Sequence, residues 1–259
     1  MYNKFHIDSL VIIYSLLKRD LQYYLLDIKS LAIFLTVFLS GLLVFLVSLK
    51  NMLGNSNNFF LFLLTGYLVV SYMNISGGAG FEIINDSYEG KLIYDRTLPI
   101  KRVHYALIRI IGISLRGYVN FLICLLIMSP LLVNYFSITK IIIFLLLSYV
   151  LSVIFTGLSI LPIILTKNLT IQSVIGSLLR SWFFLGSTIF YPFAIIPANL
   201  RILIVINPVT WVLELIRTLL AIPYATKFPL ILSAVTIGGY FLIAIVGGMS
   251  VLLHYNSEI

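Results

Sequence analysis

Residues able to do covalent chemistry are few in this chain, and none is spaced for it. His6, His104 and His254 are scattered and show no metal-ligand spacing. Gly157-x-Ser159 has no histidine in a neighbouring apolar stretch and is poor evidence for an intramembrane hydrolase. Gly90-Lys91-Leu92 lacks the upstream glycine and the hydroxyl residue of a phosphate-binding loop, and no Mg²⁺ site is apparent. The one cysteine, Cys124, lies inside an apolar run, which excludes a disulfide staple and reads as a buried, inert thiol. The sequence assigns no catalytic, cofactor-binding or metal-binding residue to this chain.

What remains is charge placed where charge is expensive. The stretch Asn85–Pro99 gathers Asp86, Glu89, Lys91, Asp95 and Arg96 around Gly90 and Tyr94. Asp86 can N-cap a helix with Glu89 reaching back, as in a capping box. Pro99 disfavours helix at Leu98 and ends the element. The spacing predicts a short charged helix over Asp86–Leu98, read either as a docking element for a cytoplasmic partner or as a solvated loop that only enforces topology. Arg116 and Arg180 stand well inside apolar runs, where an arginine costs roughly 2.5–3.5 kcal/mol. Either they face a polar path or an anionic substrate group, or their spans begin later and they snorkel to the inner headgroups. Glu214 and Arg217, three apart, can pair on one helix face. A buried pair costs desolvation, so a clasp at a watered outer mouth is favoured over substrate contact.

The elements that position these groups follow from composition. The chain is 61% hydrophobic and 10% charged, with a mean hydropathy of +1.09, whereas a soluble domain is about a quarter charged. That describes an all-α polytopic membrane protein. Six spans are predicted, at Leu31–Leu49, Phe59–Ile75, Ala106–Leu132, Ile141–Leu165, Ile171–Tyr191 and Pro229–Leu253. Leu10–Leu17 is too short for a span and no small-x-small cleavage site follows it, so no cleavable signal peptide is expected. Residues 1–30 instead repeat apolar positions at Leu10, Tyr14, Leu17, Leu21, Tyr24 and Ile28, the pattern of an interfacial amphipathic helix; an ordinary cytoplasmic tail is the plainer reading. Ala244, Gly247 and Gly248 give the last span a small-residue face for close helix contact.

The net charge of +8 is spread among loops, so it orients the chain and does not signal nucleic acid. With the N-terminus inside, about twelve of the 17 basic residues fall on the inner side and five (Lys50, Lys140, Arg201, Arg217 and Lys227) on the outer side. Both termini are therefore expected in the cytoplasm. The tract Phe190–Arg217 is too apolar for a loop and too broken by Pro192, Pro197 and Pro208 for one helix. Non-helical backbone at bilayer depth is tolerated only where protein or a watered cavity satisfies it. Two half-helices are expected there, entering and leaving on the outer side and meeting at Asn207-Pro208, before the last span.

Glu89-Gly90-x-Leu92 followed by Pro99, then Gly186, Phe190-Tyr191-Pro192, Pro197, Asn207-Pro208, Thr210, Glu214 and Arg217, resemble in order and spacing the permease subunits of type-2 ABC exporters. The amphipathic start, six spans and chain length agree, so the resemblance covers nearly the whole chain. Lys91 and Asp95-Arg96 stand where members often have a small polar residue and a leucine pair, which makes the docking face more polar. The resemblance implies one transmembrane permease domain over residues 1–259, with a cytoplasmic coupling loop at residues 77–102 and an outer re-entrant region at residues 192–227. Asp86, Glu89, Gly90, Lys91, Tyr94, Asp95 and Arg96 would couple to a separate cytoplasmic ABC ATPase that holds ATP and Mg²⁺. Asn207, Pro208, Thr210, Glu214 and Arg217 would form an outer gate, and Arg116 and Arg180 a possible path. The expected partners are that ATPase, a second copy or a similar permease, and the lipid bilayer of the plasma membrane. The cargo would be hydrophobic or amphipathic. Two other classes remain on sequence grounds: an intramembrane lipid-modifying enzyme, and an ATP-independent channel or carrier.

Overall fold

The computed structural model describes residues 2–53, 57–91, 95, 97–132 and 137–258. Most of these are helical, with non-helical stretches after Leu185 and after Leu219. The elements are α1 (Tyr2–Leu26), α2 (Ile28–Leu53), α3 (Asn57–Ser76), α4 (Ala79–Tyr88), α5 (Arg102–Leu132), α6 (Ile138–Ile160), α7 (Leu169–Leu185), α8 (Arg201–Val205), α9 (Pro208–Leu219), α10 (Leu230–Leu242) and α11 (Gly248–Glu258). Among the described residues four helical segments are long and apolar enough to cross a membrane: Phe59–Tyr88, Arg102–Pro130, Ile138–Ile164 and Leu230–His254. Two bent pairs bring the count to as many as six. One is α1 with α2, bent by 67°, and the other is α8 with α9, bent by 92° immediately before the last span.

Each break has a local cause. Between α1 and α2, the Asp27 carboxylate accepts from the Ser30 backbone N–H at 3.2 Å and from its hydroxyl at 2.6 Å. This caps a new helix and lets the amphipathic segment turn away from the span. Ser30 also holds the Asp27 carboxyl below its ordinary range. The bend comes a few residues before the expected end of the amphipathic segment at residue 30. The fifth expected span, Ile171–Tyr191, stops at Leu185. Gly186 caps α7, its N–H bonding to Trp182 O at 2.8 Å, and the Tyr191 hydroxyl donates back to Leu185 O.

The segment after α3 departs from the expected start of a charged helix at Asp86; further on Lys91 and Asp95 are helical, and residues 92–94 and 96 of the expected Asp86–Leu98 element lie outside the described residues. The chain turns at Gly77-Gly78 and resumes at once as α4, which buries Ile83 and Ile84 against the lower halves of α5 and α6. Asp86 therefore lies in the last turn of α4 and not at an N-cap; Gly78 is the N-cap. Glu89 is the C-cap, and Gly90 adopts φ +74°, the left-handed conformation that ends helices on glycine. What reads as a capping box is a helix stop. The burial of Ile83 and Ile84 outweighs the local signal, because tertiary packing supplies most helical stability.

Hydroxyls and small residues seam the bundle where backbones approach. Ser152 Oγ donates to Ser114 O at 2.8 Å and lies 2.9 Å from Ser76 Oγ, and Ser159 Oγ donates to Ser76 O at 2.8 Å, joining α3, α5 and α6. Gly157 faces Ala244 so closely that a Cβ there would strike its backbone, and Gly248 rests on Gly157. The small face of the last span thus packs as expected, at a π-helical turn over Ile243–Gly247. Gly157 and Ser159 are packing residues.

Candidate functional site

The proline-broken tract before the last span is organised around one side chain. Asn207 is fully buried between the end of α7 and the start of α9. Its Oδ1 accepts from Val209 N at 3.0 Å, capping α9. Its Nδ2 donates to Gly186 O at 2.8 Å and Trp182 O at 3.0 Å, with Phe183 O at 3.4 Å, so the same amide serves carbonyls at the end of α7. Pro208 occupies the first position of α9, where no N–H is needed. This arrangement predicts an inverted ranking of substitutions. Aspartate is a good N-cap in general, yet Asn207→Asp sets a carboxylate oxygen against three carbonyls, whereas Asn207→Ala only removes the bonds. We expect Asn207→Asp to lie below Asn207→Ala in unfolding midpoint in detergent, by an amount equivalent to about 1–3 kcal/mol. An Asp variant as stable as wild type would mean that the amide is not shared.

Arg217 and Glu214, on the following turns of α9, are 0% exposed at their side chains and pair at 3.0 Å. The expectation of a watered clasp is corrected here: no solvent reaches the pair. Its desolvation is offset by full use of the guanidinium. Nη1 donates to Thr188 O at 2.6 Å, Nη2 to Phe62 O at 2.9 Å and Ile189 O at 3.1 Å, and Nε to Thr65 Oγ1 at 3.4 Å. The Arg217 guanidinium also stacks 3.5 Å from the centre of the Phe62 ring. Thr188 and Ile189 belong to the non-helical chain after α7, whose carbonyls have no helical partner. Gly66 of α3 permits the approach, since a Cβ there would stand 2.8 Å from Arg217 Nη2. The second Glu214 oxygen accepts from Thr226 N, and Lys140 of α6 donates to Leu220 O at 3.0 Å, closing the end of α9. Thr210 is buried and its hydroxyl has no hydrogen-bond partner among the described residues.

At the other end of the bundle, α1, α4 and α5 enclose a charged cavity of about 630 Å³. Arg109 is buried and lies 3.6 Å from both Asp20 and Glu82, with Asp86 closer still. Arg116 pairs with Glu82, Lys91 with Asp86 at 3.3 Å, and Arg19 with Asp95 at 3.2 Å. The Tyr105 hydroxyl donates to Asp95 at 3.0 Å, and Tyr24 donates to Asn120. Lys91 also pairs with Glu89, which lowers the Glu89 pKa and raises that of Lys91. Arg116 therefore neither faces lipid nor stands free: it is one member of an ion-pair network.

The structure thus unites the sequence-predicted Asp86, Glu89, Gly90, Lys91, Asp95 and Arg116 in one cavity. Tyr94 and Arg96 lie outside the described residues. It adds Arg19, Asp20, Glu82 and Arg109, which sequence reasoning left unassigned. The signals were present: Glu82 and Asp86 are four apart, and Arg109 and Arg116 seven apart, so each pair shares a helix face. Arg180 is elsewhere, beside the Gly77-Gly78 turn, where a Cβ on Gly77 would strike its stem. Among the described residues no group of three His, Cys, Asp or Glu is arranged to hold a metal.

Comparison with known proteins then bears on the whole arrangement. A model of the ABC-2 type transporter family matches residues 12–221, from within α1 to just past α9. No curated protein matches the chain.

Proposed function

The chain belongs to the ABC-2 type transporter family, and from that premise we propose how its two polar sites divide the labour of export. It is the membrane-spanning permease component of an ABC transporter for a hydrophobic or amphipathic substrate, and it is not itself an enzyme. ATP and Mg²⁺ belong to a cytoplasmic ATPase partner, and a second permease copy completes the assembly in the bilayer. In our reading both termini are cytoplasmic and the membrane is the plasma membrane. Residues 77–102 then hold the coupling contact, residues 192–227 the outer gate, and the second permease is this chain or a similar one.

The observation that carries this reading is the network at the inner cavity. Two separate ion pairs, Arg19 to Asp95 and Asp20 to Arg109, tie α1 both to the segment after α4 and to α5. A push on Glu89, Gly90 and Lys91 would be carried through Asp86 and Arg109 into α5, and through Asp95 and Arg19 into the interfacial helix. Partly buried charge pairs hold their geometry better than solvated ones. The outer gate would respond as a rigid body, because Arg217 and Asn207 fix α9 to α3 and α7.

Accessibility of introduced cysteines tests the reading. Cys124 is buried, so it leaves a quiet background. In intact cells an impermeant thiol reagent should label Lys227→Cys and leave Lys91→Cys unlabelled. In inside-out vesicles Lys91→Cys should label, and binding of the ATPase should slow that labelling about tenfold or more. Labelling of Lys91→Cys from outside would invert the orientation, and unchanged labelling with ATPase bound would remove the coupling contact from this segment.

A further inference from the structure

Arg180 differs from the other deep arginines of the chain. Among the described residues Arg19, Arg109, Arg116 and Arg217 each meet a carboxylate. Arg180 meets none; its one hydrogen bond is to Ser177 Oγ, at 3.1 Å on its own helix. It stands eleven residues into α7, about 16 Å along the axis at 1.5 Å per residue. A guanidinium held there without a counter-charge is costly unless water or an anion reaches it.

The surroundings supply a cleft. Arg180, Ser177 and Ser181 of α7 and Asn74 of α3 line a pocket of about 280 Å³, with Met73 and Phe184 among its apolar walls. Ser177 and Ser181 are exposed on α7, whose other exposed positions are largely apolar, and Asn74 is exposed on α3, whose other described positions are buried or half-buried. Exposed amide and hydroxyl groups at this depth disfavour a lipid-facing role and favour a watered route through the membrane. A planar guanidinium flanked by hydroxyl and amide donors matches the oxygens of a phosphoryl group, and the apolar walls match the chain attached to it.

We propose that the cleft formed by Asn74, Ser177, Arg180 and Ser181 binds the phosphate-bearing headgroup of the exported amphiphile. This names the cargo chemistry and rests on reading the chain as an exporter permease. Arg180 supplies the charge and the fork, the hydroxyls and Asn74 orient the remaining oxygens, and the apolar walls receive the start of the tail. A free phosphate ion offers the same oxygens without the tail.

The test uses purified full-length protein in detergent and three probes: fluorescent lysophosphatidic acid, its lysophosphatidylcholine counterpart, and inorganic phosphate as competitor. Wild type should bind the phosphomonoester about tenfold more tightly than the zwitterion. Arg180→Gln should bind the two alike, while Arg180→Lys keeps part of the preference and Arg201→Gln keeps all of it. An unchanged unfolding midpoint for Arg180→Gln and Arg180→Lys separates binding from folding. Equal affinities in wild type, or a preference that survives Arg180→Gln, would overturn the proposal. Competition by inorganic phosphate at the affinity of the amphiphile would also overturn it, showing a site for a free anion. Shielding of Lys91→Cys by the ATPase reports on the exporter reading separately: shielding without headgroup preference sinks only the subsite. Preference without shielding leaves the subsite standing and removes the coupling contact.

Discussion

Arg217→Met is expected to destabilise the protein more than Glu214→Met, and the double variant is expected not to recover. For an isolated buried ion pair the logic runs the other way: removing one partner costs about 3–5 kcal/mol, and removing both is often close to neutral. Here the arginine has further obligations. Besides Glu214 it supplies hydrogen bonds to Thr188 O, Ile189 O and Phe62 O. Methionine leaves the Thr188 and Ile189 carbonyls dry whether or not Glu214 is also changed, while Phe62 O keeps the Thr65 hydroxyl at 2.9 Å. Each orphaned group costs roughly 1–3 kcal/mol. Thermal unfolding of the three variants in detergent gives the comparison directly. A double variant near wild-type stability would show that the pair serves only itself and that the broken chain after α7 is satisfied by other means. Glu214→Ala is the milder probe of transport, for which we expect ATPase association with reduced export or uncoupled hydrolysis.

At the charged cavity, Arg109→Met should release α1. Arg109 is the cation closest to Asp86 and the cross-helix partner of Asp20. Without it Asp20 keeps only Arg19, its neighbour in sequence, and Glu82 and Asp86 lose a shared buried counter-charge. Wholly stranding a buried carboxylate costs about 3–5 kcal/mol; each of the three keeps one cation here, yet even a third of that cost raises the population of a detached α1 about tenfold. Lys18 and Arg19 lie in the segment that would open, so limited trypsin digestion there should quicken about tenfold or more in Arg109→Met. The same treatment should leave Arg102→Met, altered at an exposed position of the same helix, digesting like wild type. Equal rates for both variants would mean that α1 is held by its apolar face alone.

How much of this was legible depends on the range of the interaction. The other apolar spans are local patterns, as are the proline breaks and the Asn207-Pro208 start of α9, and they appear where the sequence places them; the fifth, expected to reach Tyr191, stops at Leu185. The i, i+3 spacing of Glu214 and Arg217 also predicted their pairing. It could not predict their dryness, which depends on Phe62 and Thr65, about 150 positions away in the chain. The end of α4 was misread for a related reason. Asp86 and Glu89 have the spacing of a helix start, and only the burial of Ile83 and Ile84 against distant helices reveals the end of a helix already begun at Ala79. Arg109 has no partner within its own stretch of sequence. Its three carboxylates come from α1 and α4, so no window of sequence contains the site.

One amide, that of Asn207, answers for two helix ends. Neither end can fray alone: releasing α9 from its cap also uncovers the carbonyls of α7, and unwinding the last turn of α7 withdraws the acceptors that hold the amide in place. The two penalties fall at the same instant, so partial opening is worse than either full closure or full release. Such an element moves between discrete positions and does not yield by degrees. A mouth hinged on it would be shut against small ions during the intervals between transport events, with leakage set by the rarity of the whole transition and not by the width of a loosened gap.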